Sequence, residues 1–239
     1  MEKNKFYFRT NYVILMGDTH SESITRRMLT RIPEGSDVFH IGDVGLGFGK
    51  PEYALGNAKG WVNVFNDHCK EHDIRLYLNR GNHDNPAVWN NFSKENVVFV
   101  NTGDVGIFPN GKKVLCIGGG VSLDRCTRFE GIDYWSDEIT PNLDIVEECD
   151  IVFSHDAPEH FNHATSTVHQ GFGWYVERDP TLIADCYKQR NHITDLVARS
   201  KARFLISGHF HNTLIQEQDG VKYRSLSIEE LYEIDATKI

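Results

Sequence analysis

The amino-acid sequence predicts a mixed α/β layered fold, and three observations carry that expectation. Short apolar runs rich in Val, Ile, Leu and Phe recur along the chain, helical segments alternate with the early ones, and a hairpin signature stands near the end. In chain order, the runs at 12–16, 38–41, 74–78, 97–100, 113–117, 151–153 and 204–206 read as strands, each short, apolar and bounded by turn residues. Segments 213–218 and 221–226 alternate across Asp219-Gly220, a pair suited to the two positive-φ positions of a type I′ turn. Helices are expected over 22–31, 58–71, 87–92 and 181–200. The last begins just behind Asp179-Pro180, an N-terminal capping arrangement.

The chain has 239 residues, 40% hydrophobic and 25% charged, enough apolar mass for a sizeable core and too much for disorder. No repeat, low-complexity tract or linker divides it, so residues 1–239 are expected to form a single domain. Acids outnumber bases 34 to 25, a net charge of −9, which argues against long nucleic acid and anionic membranes as partners. The only apolar run near the N-terminus is too short for a signal segment or a membrane span. Five scattered cysteines with no CxxC pair argue against a zinc ribbon or a disulfide framework, and a reducing, cytoplasmic location is expected. Twelve histidines remain to be explained.

The turns beyond the strands are more informative than the strands themselves. VILM empties into GDTH, VFHI into GDVG, LYLNR into GNHD, LCI into GGGVSLDR, IVFS into HD, and FLIS into GHFH. Ligands of α/β sheets bind in the crevice beyond the carboxyl ends of strands, and glycine lets the chain turn sharply there. These turns carry Asp18, His20, Asp43, Asn82, His155, His209 and His211. Such a set of nitrogen and oxygen donors without a thiolate suits a pair of borderline or hard divalent ions such as Mn, Fe or Zn.

The ordered series GDTH, GDVG, GNHD, SHD and GHFH, from residue 17 to residue 211, resembles the calcineurin-like metallophosphoesterase superfamily. That resemblance implies a four-layer α/β/β/α sandwich, here with a C-terminal β-hairpin, and a dinuclear metal centre at one end of the sheets. It implies that Asp18, His20 and His211 hold one ion, that Asn82, His155 and His209 hold the other, and that Asp43 bridges them. The two divalent ions are expected to be Mn²⁺, with Fe, Zn or Ni as alternatives. A bridging carboxylate holds two cations about 3.5–4 Å apart, where they share an activated hydroxide and clamp the phosphoryl oxygens.

The resemblance implies that His83 protonates the leaving group, with Asp84 beside it expected to orient its ring and raise its pKa. Asn82 and the arginines Arg80, Arg125 and Arg128 are candidate substrate-phosphate contacts, since arginine's planar fork matches phosphate, with a salt bridge to an acidic neighbour on the rim as the equal alternative for each arginine. Asp124 is expected to pair with one of these arginines. His68 and His72 read as a solvated helix face and His192 as structural. The histidine- and aromatic-rich loop over 157–179 reads as a substrate-covering lid, or else as a packing insert or oligomer contact. Arg80 matches the protein-phosphatase branch of the superfamily, but GDVGLGFGK lacks the Asp-Arg-Gly extension of that branch, which argues against a dedicated protein phosphatase. The stretch between Asp43 and Asn82, which holds Trp61, reads as a specificity element or as an added layer of packing.

The function expected is hydrolysis of a phosphate ester by a metal-bridging hydroxide, foremost as a phosphomonoesterase on a small molecule or phosphopeptide. A phosphodiesterase on cyclic nucleotides or short oligonucleotides is the alternative. A non-catalytic protein-binding scaffold is the reading from another class, disfavoured because every ligand position and His83 are present. Oligomeric state is not legible in these residues.

Overall fold

A computed structural model describes residues 4–89, 92–161 and 172–239. Strands and helices run in the order β1 (Lys5–Tyr7), β2 (Tyr12–Met16), α1 (Glu22–Leu29), β3 (Asp37–His40), α2 (Pro51–Glu71), β4 (Arg75–Asn79), α3 (Pro86–Trp89) and β5 (Val97–Val100). Then come β6 (Val105–Ile107), β7 (Lys113–Ile117), β8 (Ile151–Ser154), α4 (Phe172–Arg178), α5 (Leu182–Ser200), β9 (Phe204–Ser207), β10 (Leu214–Gln218), β11 (Val221–Ser225) and β12 (Leu231–Asp235). One sheet has five strands in the order β12-β2-β3-β4-β5 and the other seven in the order β1-β6-β7-β8-β9-β11-β10. The central strands β2 to β5 run parallel, as do β7, β8 and β9, so the chain returns through helices and long connections.

Alternation along the strands sorts the core into three seams, which makes four layers. Leu76 and Leu78 of β4 face α1 and α2, whereas Tyr77 between them faces the other sheet. Phe39 and Phe153, from facing strands of the two sheets, meet in the middle seam with ring centroids 4.8 Å apart. On the far side Leu115, Val152 and Leu205 receive Ile193, Leu196 and Val197 of α5. The result is the α/β/β/α sandwich that the resemblance implies.

The hairpin forms as expected: Gln218 pairs with Val221, and Asp219 and Gly220 take φ of 52° and 73°. It is not the last element, because β12 crosses back and lies antiparallel to β2. Helix α2 starts seven residues before the expected 58, at a proline in its first turn, and a buried stripe of Ala54, Ala58, Val62 and Phe65 carries it past Gly56 and Gly60. His68 extends that stripe and is buried, contrary to the solvated face expected for it. The expected helix over 87–92 is described to Trp89, residues 90–91 lying outside the described set.

Candidate metal centre

The turns that leave β2, β3, β4, β8 and β9 converge at one end of the two sheets. Asp18, His20, Asp43 and His211 place one ligand atom each within 4.8 Å of one another, and Asp43, His155 and His209 do the same. Asp43 belongs to both groups. Nε2 of His20 lies 2.8 Å from Nε2 of His211, which is itself 3.4 Å from Asp18 Oδ2. His155 Nε2 lies 3.4 Å from Asp43 Oδ1 and 2.9 Å from Asn82 Oδ1. All seven residues singled out as ligands therefore meet, in the two sets expected.

The backbone is bent to achieve this. His20, Asp43, His209 and His211 have φ of 51°, 59°, 67° and 54°, a left-handed conformation that costs a non-glycine residue ~1–3 kcal/mol. Main-chain hydrogen bonds hold it: Thr19 and His20 N–H donate to the Asp43 carbonyl, at 3.1 and 2.8 Å, and His209 N–H donates to Asp18 Oδ2 at 2.9 Å. The glycines of the turns are needed for proximity: a Cβ on Gly81 would sit 2.0 Å from Asp43 Oδ1, and one on Gly208 2.2 Å from Asp18 Oδ1.

The residues fit a pair of divalent cations. Asp18 and Asp43 are fully buried, yet Asp18 Oδ1 and Asp43 Oδ2 have no hydrogen-bond partner, and a buried acceptor left unpaired is costly. Carboxylate, imidazole and amide oxygen without sulfur form a donor set for borderline or hard ions. Burial raises the Asp43 carboxyl, but the imidazoles of His155, His83 and His20 outweigh it and hold the group well below its ordinary value. Burial lowers His155, while Asp43 and Asp18 overcome that and push it up to about 9. The two buried carboxylates thus favour positive charge beside them.

A cavity of about 270 Å³ opens over the cluster, walled by His83, Leu123, Asp124, Arg128 and Tyr175. A larger one of about 400 Å³, between Tyr12, Ile215 and Tyr232, touches none of the candidate ligands. The main-chain N–H of His83 donates to Asp43 Oδ1 at 2.8 Å, and its ring stacks on Phe48 with centroids 5.9 Å apart. Burial pushes the His83 pKa down to about 4, and Asp84 is not what faces it: Asp43 Oδ2, at 3.9 Å from Nε2, is. The expectation that Asp84 orients this ring and raises its pKa is corrected accordingly. Both Asp84 oxygens are taken up by main-chain donors, Gly45 and Leu46 on one and Asp43 and Gly81 on the other.

The arginines divide. Arg128 lies in the cavity wall, held in a two-point contact with Asp124, Nε to Oδ1 at 2.7 Å and Nη2 to Oδ2 at 2.8 Å. Arg80 and Arg125 do not line it, which corrects their expected role. Arg80 donates to the carbonyls of Asp137 and Ile139, and Arg125 ties Asp179, Thr181 and Asp185 at the start of α5. In the 157–179 loop Phe161 is core, stacked on Tyr223 at 4.2 Å, and Tyr175 reaches the cavity. His163 and His169 lie outside the described residues. His192 contacts the Pro141 carbonyl at 3.2 Å.

Sequence reasoning did not single out three further contributions. Asn82 Nδ2 donates to Ser122 Oγ at 2.9 Å, and Ser122 donates from Oγ and N–H to the two oxygens of buried Glu138, at 2.7 and 2.6 Å. This chain fixes which face of the Asn82 amide points at His155. Buried His40 accepts from Gly42 N–H and contacts Thr19 Oγ1, bracing the Asp18 and Asp43 turns; burial lowers its pKa to about 4 and keeps it neutral. Phe48, from the stretch between Asp43 and Asn82, lies against both His83 and Trp135, while Trp61 of that stretch packs on the helix-side core.

The sequence profile of calcineurin-like phosphoesterases matches residues 12–213. No curated protein sequence matches the chain.

Proposed function

The chain belongs to the calcineurin-like phosphoesterase family, and from that premise we propose that it is a phosphomonoesterase acting on a small phosphorylated molecule or phosphopeptide. The observation that carries the reading is the pair of ligand groups sharing Asp43 at the floor of a cavity walled by His83 and Arg128. Two divalent ions, Mn²⁺ foremost, would supply an activated water and Lewis-acid charge for the phosphoryl group when bound by the seven residues.

The protein's own groups supply the rest. The Arg128 fork, held by Asp124, is placed to orient phosphoryl oxygens. His83, pinned by its main-chain N–H on Asp43 and by the face of Phe48, is placed to present a ring nitrogen to the departing ester oxygen and, from the minor protonated fraction that a pKa of about 4 leaves, to pass it a proton. Leu123 and Tyr175 in the wall, with Phe48 behind the His83 ring, add apolar surface to that face. The volume of about 270 Å³ suits a phosphoryl group with a compact leaving group. None of the five cysteines is joined in a disulfide, which supports a cytoplasmic setting, and no helix among the described residues is long and apolar enough to cross a membrane.

The test is a paired assay on a chromogenic phosphomonoester and its bis-ester, with Mn²⁺ and after chelation. Metal-dependent turnover of the monoester is expected. Turnover of the bis-ester alone overturns the monoesterase reading in favour of a diesterase, and no turnover of either with metal bound overturns catalysis itself.

A further inference from the structure

The far end of α2 carries a second cluster of ligand-type side chains. Its 21 residues span ~30 Å, so the last turn is remote from the Asp43 loop that precedes the first turn. His68-Cys69-Lys70-Glu71-His72 places two imidazoles four residues apart and a carboxylate one residue before the second, a spacing that gathers all three on one helix face. The ring centroids of His68 and His72 are 4.4 Å apart, inclined by 51°. His72 Nε2 lies 4.0 Å from Glu71 Oε2, and its Nδ1 lies 3.6 Å from Glu34 Oε1. Gly35 N–H donates to the His72 carbonyl at 3.2 Å, which ties the Glu34 loop to the helix end.

His68 is the informative residue. It is only 5% exposed, yet neither ring nitrogen has a hydrogen-bond partner. Burial lowers the His68 pKa, and the Leu29 main chain beside the ring offsets part of that. Buried polar atoms are paired in the great majority of cases, and the exceptions call for an explanation such as an ion. One ligand atom each from His68, Glu71 and His72 lies within 4.8 Å of the others.

We propose that His68, Glu71 and His72 hold one divalent ion of the zinc class, separate from the dinuclear centre. Two imidazoles and a carboxylate form an open zinc set that leaves the fourth position to water. Glu34 Oε1 lies 3.6 Å from the other ring nitrogen of His72, on the side where an outer carboxylate would orient a metal-bound histidine. Arg26 lies near enough to oppose positive charge at His68. The two glutamates offset it, and the balance favours an ion bound through imidazole nitrogen over Ca²⁺ or Mg²⁺, which depend on several anionic oxygens. The bound ion joins the end of α2 to the loop ahead of β3.

The test counts zinc. The full chain and its His72→Ala and Glu71→Gln variants are equilibrated at one micromolar-range free Zn²⁺ level, and bound metal is measured by elemental analysis. His72→Ala is expected to hold one equivalent fewer than the wild type with phosphoesterase turnover unchanged. An equal count in the two overturns the proposal. Zinc-edge anomalous scattering on wild-type crystals gives a check that needs no variant: a peak ~2.0–2.1 Å from a ring nitrogen of both histidines is expected, and its absence there overturns the assignment.

Discussion

The Asp84 carboxylate accepts four main-chain N–H groups within the metal loops: Gly45 and Leu46 at 2.9 and 3.2 Å on Oδ1, Asp43 and Gly81 at 2.9 and 2.8 Å on Oδ2. Asp84→Asn keeps the shape but sets an amino group against two of these donors. Each buried donor left without an acceptor costs ~1–3 kcal/mol, so the raw loss is ~2–6 kcal/mol. Burial already works against the Asp84 charge, raising its pKa to about 6, and the asparagine is relieved of that penalty. The net expectation is a destabilisation of ~2–4 kcal/mol, a large share of the ~5–15 kcal/mol a domain usually has. Urea unfolding followed by tryptophan fluorescence, in chelator so that metal linkage does not enter, measures it. At a slope of ~2–3 kcal/mol/M the midpoint drops by about 1 M. Stability within ~0.5 kcal/mol of wild type, together with a turnover loss confined to poor leaving groups, would mean that Asp84 acts through His83 and refute this reasoning.

The same geometry sets three other expectations. His83→Ala keeps both metals but loses ~10²–10⁴-fold in turnover on alkyl phosphates and much less on nitrophenyl phosphate; equal losses on both remove His83 from proton transfer. Ser122→Ala frees the Asn82 amide to turn and lowers affinity for one metal ~10–100-fold, read by titration calorimetry, whereas an unchanged affinity makes the Glu138–Ser122–Asn82 chain mere packing. Burial raises Glu138 to about 8, against an ordinary value of 4.5. The folded chain therefore binds the extra proton between those values, and this group's contribution to stability is full below pH ~4.5 and declines as pH rises towards about 8. Glu138→Gln should flatten the unfolding midpoint across that window, and parallel profiles for variant and wild type would contradict it.

The ligand set was legible because each member stands directly beyond a strand that announces itself by a run of apolar residues and a glycine. Strands β1, β6 and β12 were not, since Lys5-Phe6-Tyr7 and Val105-Gly106-Ile107 are too short to show a period and Leu231–Asp235 alternates beside charged neighbours. Side-chain partners set by the tertiary fold were hidden for a different reason. Nothing near Arg125 in sequence points to Asp179 or Asp185, and nothing near Asn82 points to Ser122 and Glu138. His68 shares its helix with lysine and glutamate, and only the packing of α1 against α2 reveals that it is buried.

The contacts of Gly81 and Gly208 bear on how such a site diverges. With the oxygens of Asp43 and Asp18 occupying the space a methyl group would need, neither of these glycines in the floor of the cavity can take a side chain without displacing a ligand carboxylate. The upper wall is different: Leu123 and Tyr175, and Phe48 behind the His83 ring, come from three separate loop or helix segments, and none of them belongs to a metal-ligand turn. Selection for a new leaving group can therefore explore the wall while the chemistry beneath it is held constant, so substrate repertoire and reaction are inherited on separate parts of the chain.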